Sequence, residues 1–132
     1  MARFLFVVPP LTGHVNPTVS VAHRLTSAGH EVAWVGYPGK IAHLLPTDAT
    51  LIALDDEGYT ALEAGFAEET RKVKGLQSLV FLWERFLVPL THLMLPGVEQ
   101  AIDDYAPDLL VVDQQALAGA FALLLAGALA LP

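Results

Sequence analysis

Apolar positions near the N-terminus change their period twice. Residues 3–8, "RFLFVV", form an almost unbroken apolar run. Such a run suits a strand covered on both faces, as in a parallel sheet. Residues 9–13, "PPLTG", read as a turn. From Asn16-Pro17 the spacing becomes helical, with Val19, Ala22, His23 and Leu25 at helical positions. Asn16 can cap free N–H groups, and Pro17 fits a first helical position. Gly29 then ends the helix, and residues 30–36, "HEVAWVG", give a second strand. Strand, turn, helix and strand make a βαβ unit, which points to an α/β fold: a Rossmann-like parallel sheet with flanking helices.

The same reading extends along the chain. A short helix is expected at residues 41–45 and a third strand at 49–54, "ATLIAL". Residues 55–75 are charged and read as a loop with partial helix. Residues 76–95 form a long helical stretch in which Leu79, Leu82, Trp83, Phe86 and Leu90 recur at three and four. Pro89 should kink it and Pro96 interrupt it. The helix resumes to about Tyr105, and residues 108–113, "DLLVVD", give a fourth strand ending on an acid. Residues 116–132 carry no charge. They fall short of the ~20 apolar residues that span a bilayer, and read as a helix packed on the sheet, with a membrane-associated helix as the minor alternative. No repeat or linker divides residues 1–132, so one domain is expected.

Composition narrows the function. The net charge of -7 argues against nucleic-acid binding, which needs Lys and Arg for phosphate contacts. The absence of cysteine excludes disulfides, thiol nucleophiles and Cys-based metal sites. The N-terminal run ends in two prolines, unlike a signal peptide, so a cytoplasmic location is expected. A hydrophobic fraction of 54% is high for a free-standing domain of this size. Some apolar surface is expected to meet something else, with self-association as one outcome.

Ligands of open parallel sheets bind beyond the carboxyl ends of the strands. Two polar residues fall there: His14 after the first strand and Asp113 after the fourth. If those strands are neighbours, the side chains meet. A neutral imidazole can take a proton near pH 7, and a carboxylate on its other nitrogen fixes the tautomer. No G-x-S-x-G elbow supplies a nucleophile, which leaves a bound substrate hydroxyl as the proton source. The structural alternative is a packing His14 and an Asp113 that caps a helix starting near Gln115. Neither G-x-G-x-x-G nor a P-loop occurs, and His23, His30, His43 and His92 match no metal motif. No cofactor or metal site is therefore expected in the chain. Phe81, Trp83 and Phe86 read first as core, although so apolar a helix could line an apolar cleft.

Residues 4–36, with G-H-V-N-P at 13–17 and "AGHEV" at 28–32, together with "PDLLVVD" at 107–113, resemble the N-terminal segment of GT-B family 1 glycosyltransferases, closest to the bacterial macrolide and carotenoid types. The resemblance implies an inverting transfer of sugar from a UDP- or TDP-sugar to a hydroxyl of a small apolar acceptor, such as a polyketide. It maps the base onto His14 and its orienting acid onto Asp113. Thr12, Gly13 and Asn16 would line the acceptor end of the cleft, with residues 55–95, Phe81 and Trp83 included, shaping the acceptor pocket. Family members carry a second, donor-binding domain, and its motifs are not in these 132 residues. The resemblance therefore implies a partial N-terminal acceptor domain, inactive alone, whose partners are the acceptor and a C-terminal donor domain. The alternative is a non-catalytic α/β module that binds an apolar ligand or a protein.

Overall fold

A computed structural model describes residues 1–129. Four parallel strands form one sheet: β1 (Arg3–Val7), β2 (Glu31–Gly36), β3 (Thr50–Ala53) and β4 (Leu109–Val112), in the order β3-β2-β1-β4. Phe4 to Val7 of β1 face Val32 to Val35 on one side and Leu109 to Val112 on the other. The chain thus steps outward from β1 to β3, then returns to place β4 on the opposite side of β1. That reversal creates a switch point between β1 and β4, where open α/β sheets bind ligands.

Alternation along β1 assigns the two faces. Phe6 and Val8 pack with Val15 and Ala22 of α1 (Thr12–Ser27) and with Val32 and Trp34. Trp34 stacks on Phe6, and its indole N–H donates to Thr18 Oγ1 at 2.9 Å, which ties α1 to β2. Leu5 and Val7 face the larger core, built with α3 (Asp56–Thr70), α5 (Val88–Tyr105) and α6 (Leu117–Leu129). Gly29, at φ +86°, takes the left-handed position that closes α1, a conformation that costs a side-chain-bearing residue more.

Three expectations are corrected. Helix α1 begins at Thr12, before Asn16-Pro17: the Leu11 carbonyl accepts from both His14 and Val15 N–H, and Pro17 lies inside the helix. Asn16 has no capping role, because the chain has already turned helical before reaching it. Helix takes up residues 56–70, more than the partial helix expected within 55–75, and only 71–76 are turn and loop. Asp55 caps α3 by accepting from Glu57 N–H, Asp56 and Glu57 suit the positive end of the helix, and Tyr59, Leu62 and Phe66 reach the core. Pro96 does not interrupt α5, which runs through it with Met94, Val98 and Ala101 buried on one side.

The expected short helix is α2 (Pro38–Ile41), followed by a 3₁₀ turn (Ala42–Leu44). The long helix is α4 (Gln77–Leu82), a π turn (Trp83–Leu87) and α5 in one run. The run Gln77–Tyr105 is long and apolar enough to cross a bilayer, and one side of its α5 half, with Leu90, Met94, Val98 and Ala101, packs into the core. The apolar tail forms α6, which packs Ala118 and Ala122 into the core beside α5 and β4; residues 130–132 of that expected helix lie outside the described ones.

Tyr37, just after β2, is 1% exposed and stacks on Tyr59 of α3 with ring centroids 4.9 Å apart. Its hydroxyl has no hydrogen-bond partner among the described residues. Burial, then Tyr59, Asp55 and Asp56, hold the Tyr37 phenol well above its ordinary ionisation. Burial and then Glu63 push Tyr59 up to about 12. Both phenols are raised in the folded state, while the unfolded chain ionises them at about 10. Their stabilising effect is thus complete below that pH and is lost as pH rises toward the folded values. The urea midpoint is expected to hold to about pH 10 and then fall steeply. Tyr37→Phe should reduce the fall and leave stability below it equal or higher, because it removes an unpaired buried hydroxyl.

Candidate functional site

The carboxyl ends of β1 and β4 are zipped together. Beyond the paired Val7 and Val112, Asp113 N–H donates to Val7 carbonyl at 3.0 Å. On the β1 side, Pro9 and Pro10 offer no N–H, and the chain folds directly into α1. His14 lies in the first turn of α1, and Asp113 lies in the first residue after β4. The same ladder that joins the strands therefore sets the distance between these two side chains.

His14 Nδ1 stands 2.8 Å from Asp113 Oδ2. An ionised carboxylate only accepts, so the imidazole donates from Nδ1 and its Nε2 keeps a free lone pair. The other oxygen, Oδ1, accepts from Gln115 N–H at 2.8 Å, and Asp113 carbonyl accepts from Ala116 N–H at 2.9 Å. One carboxylate thus contacts the imidazole and also closes the turn ahead of α6. The helix starts at Leu117, two residues after Gln115, so Asp113 does not cap a helix starting near Gln115 as expected. The His14 side chain is 30% exposed and that of Asp113 20%. The pair is sheltered but open to a ligand.

A cavity of about 260 Å³ opens beside the pair, lined by Gly13, His14, Pro17 and Thr18 of α1, by Phe6 and Val8, and by Val111 to Asp113. Its floor is apolar and its polar groups converge at His14 and Asp113, the composition expected of a small-molecule site. Of the residues singled out from sequence, Gly13, His14 and Asp113 meet here. Thr12 and Asn16 are exposed on α1 and do not line the cavity. Phe81 and Trp83 lie elsewhere, on α4 and the π turn. Phe81 stacks on Phe66 at 5.4 Å, beside a second cavity of about 260 Å³ between α3 and the π turn; Trp83 is exposed. Their reading as core holds for Phe86, which is buried, and holds in part for Phe81.

Thr18 and Val111 were not singled out from sequence. A signal existed for both: Thr18 is one helical turn beyond His14, and Val111 shares a sheet face with Phe6. Beside them, Leu109 and Val111 remain exposed on the face that α1 leaves uncovered, and no strand among the described residues pairs with the outer edge of β4.

Comparison with known proteins agrees with this architecture. No family model matches the chain. A 39-residue stretch is 54% identical to 4'-demethylrebeccamycin synthase of Lentzea aerocolonigenes, covering 30% of this chain and 9% of that protein. Among solved structures, the glycosyltransferase SsfS6 of Streptomyces sp. SF2575 superimposes with a TM-score of 0.69 at 20% identity, over 96% of this chain and 37% of that one. The glycosyltransferase VinC, in complex with dTDP, does so with a TM-score of 0.64 at 21% identity, over 95% of this chain and 32% of that one. The chain thus spans about a third of the solved structures whose fold it shares.

Proposed function

We propose that this chain, which has the fold of part of a GT-B glycosyltransferase, is the acceptor-side part of an inverting enzyme of natural-product biosynthesis. The observation that carries the reading is the 2.8 Å contact of His14 Nδ1 with Asp113 at the switch point of the sheet, beside an apolar cavity. An acceptor hydroxyl lying in that cavity reaches His14 Nε2. The imidazole takes its proton as the oxygen bonds to the anomeric carbon of a nucleotide sugar. The bond from that carbon to the diphosphate breaks, and the diphosphate leaves with the electron pair. Attack opposite the leaving group inverts the anomeric centre. Asp113 holds the ring in the reactive tautomer and stabilises the imidazolium that forms.

The apolar floor of Phe6, Val8 and Val111 suits a small, largely apolar acceptor. Thr12 and Asn16, exposed on α1, would meet the acceptor's outer end, and the α3–α4 region with Phe81 would bound it farther out. The nucleotide sugar, a UDP- or TDP-sugar, would be held by a donor domain outside these residues, a reading supported by the chain's spanning about a third of the glycosyltransferases whose fold it shares. The 132-residue chain alone would then bind acceptor without turnover.

The test is sugar transfer from UDP- and TDP-glucose to hydroxylated aromatic and macrolide acceptors by this chain joined to a donor domain. Transfer that disappears in His14→Ala, with acceptor binding kept, supports the reading. Transfer that survives His14→Ala overturns the base assignment, and turnover by the 132 residues alone overturns the placement of the donor site.

A further inference from the structure

The segment that enters α4 carries large apolar side chains that the fold leaves outside. Leu76 is 84% exposed, Leu79 57%, Val80 56% and Trp83 46%. Their spacing of three, four and seven puts them on one helix face. In a helix of uniform pitch that face would continue into Phe86, Leu90 and Met94, which are buried. The π turn at Trp83–Leu87 prevents this. Its wider turn takes up one extra residue and rotates the preceding segment by about a quarter turn relative to α5. Phe81 and Leu82 face inward instead, Phe81 onto Phe66 and Leu82 against the main core. The outward stripe lines neither of the two cavities described above.

Charge is distributed unevenly around this stripe. The chain has seven Lys and Arg in all. Three of them, Arg71, Lys72 and Lys74, are exposed just ahead of Leu76, and no acid lies from Thr70 to Trp83. Glu68, Glu69 and Glu84 flank the stretch, and Glu69 is paired with Arg85 at 3.7 Å.

We propose that residues 71–83 form a docking surface for an anionic lipid bilayer. Leu76, Leu79, Val80 and Trp83 enter the boundary between headgroups and acyl chains, and Arg71, Lys72 and Lys74 lie against headgroup phosphates. An aliphatic stripe with a tryptophan and adjoining cations is the composition of an interfacial helix. A convex helix face without a groove suits a fluid surface, which needs no matching shape. Screening at physiological salt has a range of ~8 Å, so a surface touching the patch feels its cations more than the acids elsewhere on a chain of net charge -7. The proposal stands apart from the transfer chemistry, because docking is read without turnover.

The chain supplies its own probe. It has two tryptophans; Trp34 is 3% exposed and hydrogen-bonded, so a blue shift in emission reports Trp83. The protein is mixed with phosphatidylcholine vesicles, with and without phosphatidylglycerol, and followed by fluorescence and co-sedimentation. Expected are a blue shift and sedimentation with the phosphatidylglycerol vesicles, weakened by salt. Leu79→Ser should lower partitioning about tenfold, and Lys72→Glu about fivefold or more. Leu124→Ser, on the exposed side of α6, should leave it unchanged. No sedimentation with phosphatidylglycerol vesicles overturns the proposal, as does loss of binding in Leu124→Ser but not in Leu79→Ser. A concentration-dependent blue shift without vesicles, with a dimer mass and no further change on adding lipid, assigns the stripe to a second copy instead.

Discussion

With the chain joined to a donor domain, Asp113→Asn is expected to lower the proposed sugar transfer by up to about 10⁴-fold, the loss that a wrongly protonated imidazole brings to a carboxylate–histidine base. The reason is a shortage of acceptors. Asp113 uses both oxygens, Oδ2 for His14 and Oδ1 for Gln115 N–H, and asparagine has one. If that oxygen stays on Gln115, the amide NH₂ faces His14 Nδ1 and the ring must carry its proton on Nε2, where it can no longer accept one. If the amide flips, His14 is satisfied but Gln115 N–H loses its partner, at a cost of about 1 kcal/mol in stability. The two outcomes separate in measurement: imidazole ¹⁵N shifts report the tautomer, and urea unfolding reports the turn. His14→Ala leaves the turn intact and should lower transfer 10²- to 10⁴-fold, a typical range for loss of a general base, with stability changed by less than about 1 kcal/mol. Transfer by Asp113→Asn at the parent rate, with a folded protein, would remove the orienting role.

Gly119→Val should have the largest effect on folding, a loss of about 3 kcal/mol from a total near 5–15 for such a domain. A Cβ at position 119 would stand 2.8 Å from Val112 Cγ2 and 3.0 Å from Val7 Cβ. Val7 and Val112 are register partners in adjacent strands, so neither can move without breaking the ladder that also fixes Asp113. Helix α6 can lie this close because Ala116, Ala118 and Ala122 on the same side are small and buried. Gly119→Ala should lose less, about 1–2 kcal/mol, and the series is read by urea unfolding. A Gly119→Val protein as stable as the parent would mean that α6 sits farther from the sheet.

The sequence made the first βαβ unit plain, because "RFLFVV" and "HEVAWVG" are apolar enough for a parallel sheet and Gly29 closes the helix between them. It misplaced the start of α1, since Asn16-Pro17 has the chemistry of a helix start, yet the Leu11 carbonyl had already opened the helix. It underestimated the extent of α3 because Asp55, Asp56 and Glu57 read as loop charge, whereas they cap the helix and complement its positive end. The site was legible only as a condition. His14 and Asp113 were each visible at a strand end, but their meeting depends on β4 lying beside β1, and strand order leaves no local trace in a sequence. A dual use of Asp113 was likewise hidden, because each role alone accounts for an acid at that position.

The π turn could not be read from spacing at all, since Leu79, Trp83, Phe86 and Leu90 fit one uninterrupted helix. Its consequence concerns chain length. The wide turn takes up a single residue, so everything from Val88 onward keeps its place in the core whether or not that residue is there. Deleting one residue between Trp83 and Leu87 would restore uniform pitch and leave Phe81 and Leu82 facing inward, whereas closing the turn to α pitch with every residue kept would bring Leu79 and Trp83 to the interior in their place. Phase, more than composition, decides whether this stretch is surface or interior, and the width of a single turn sets that phase.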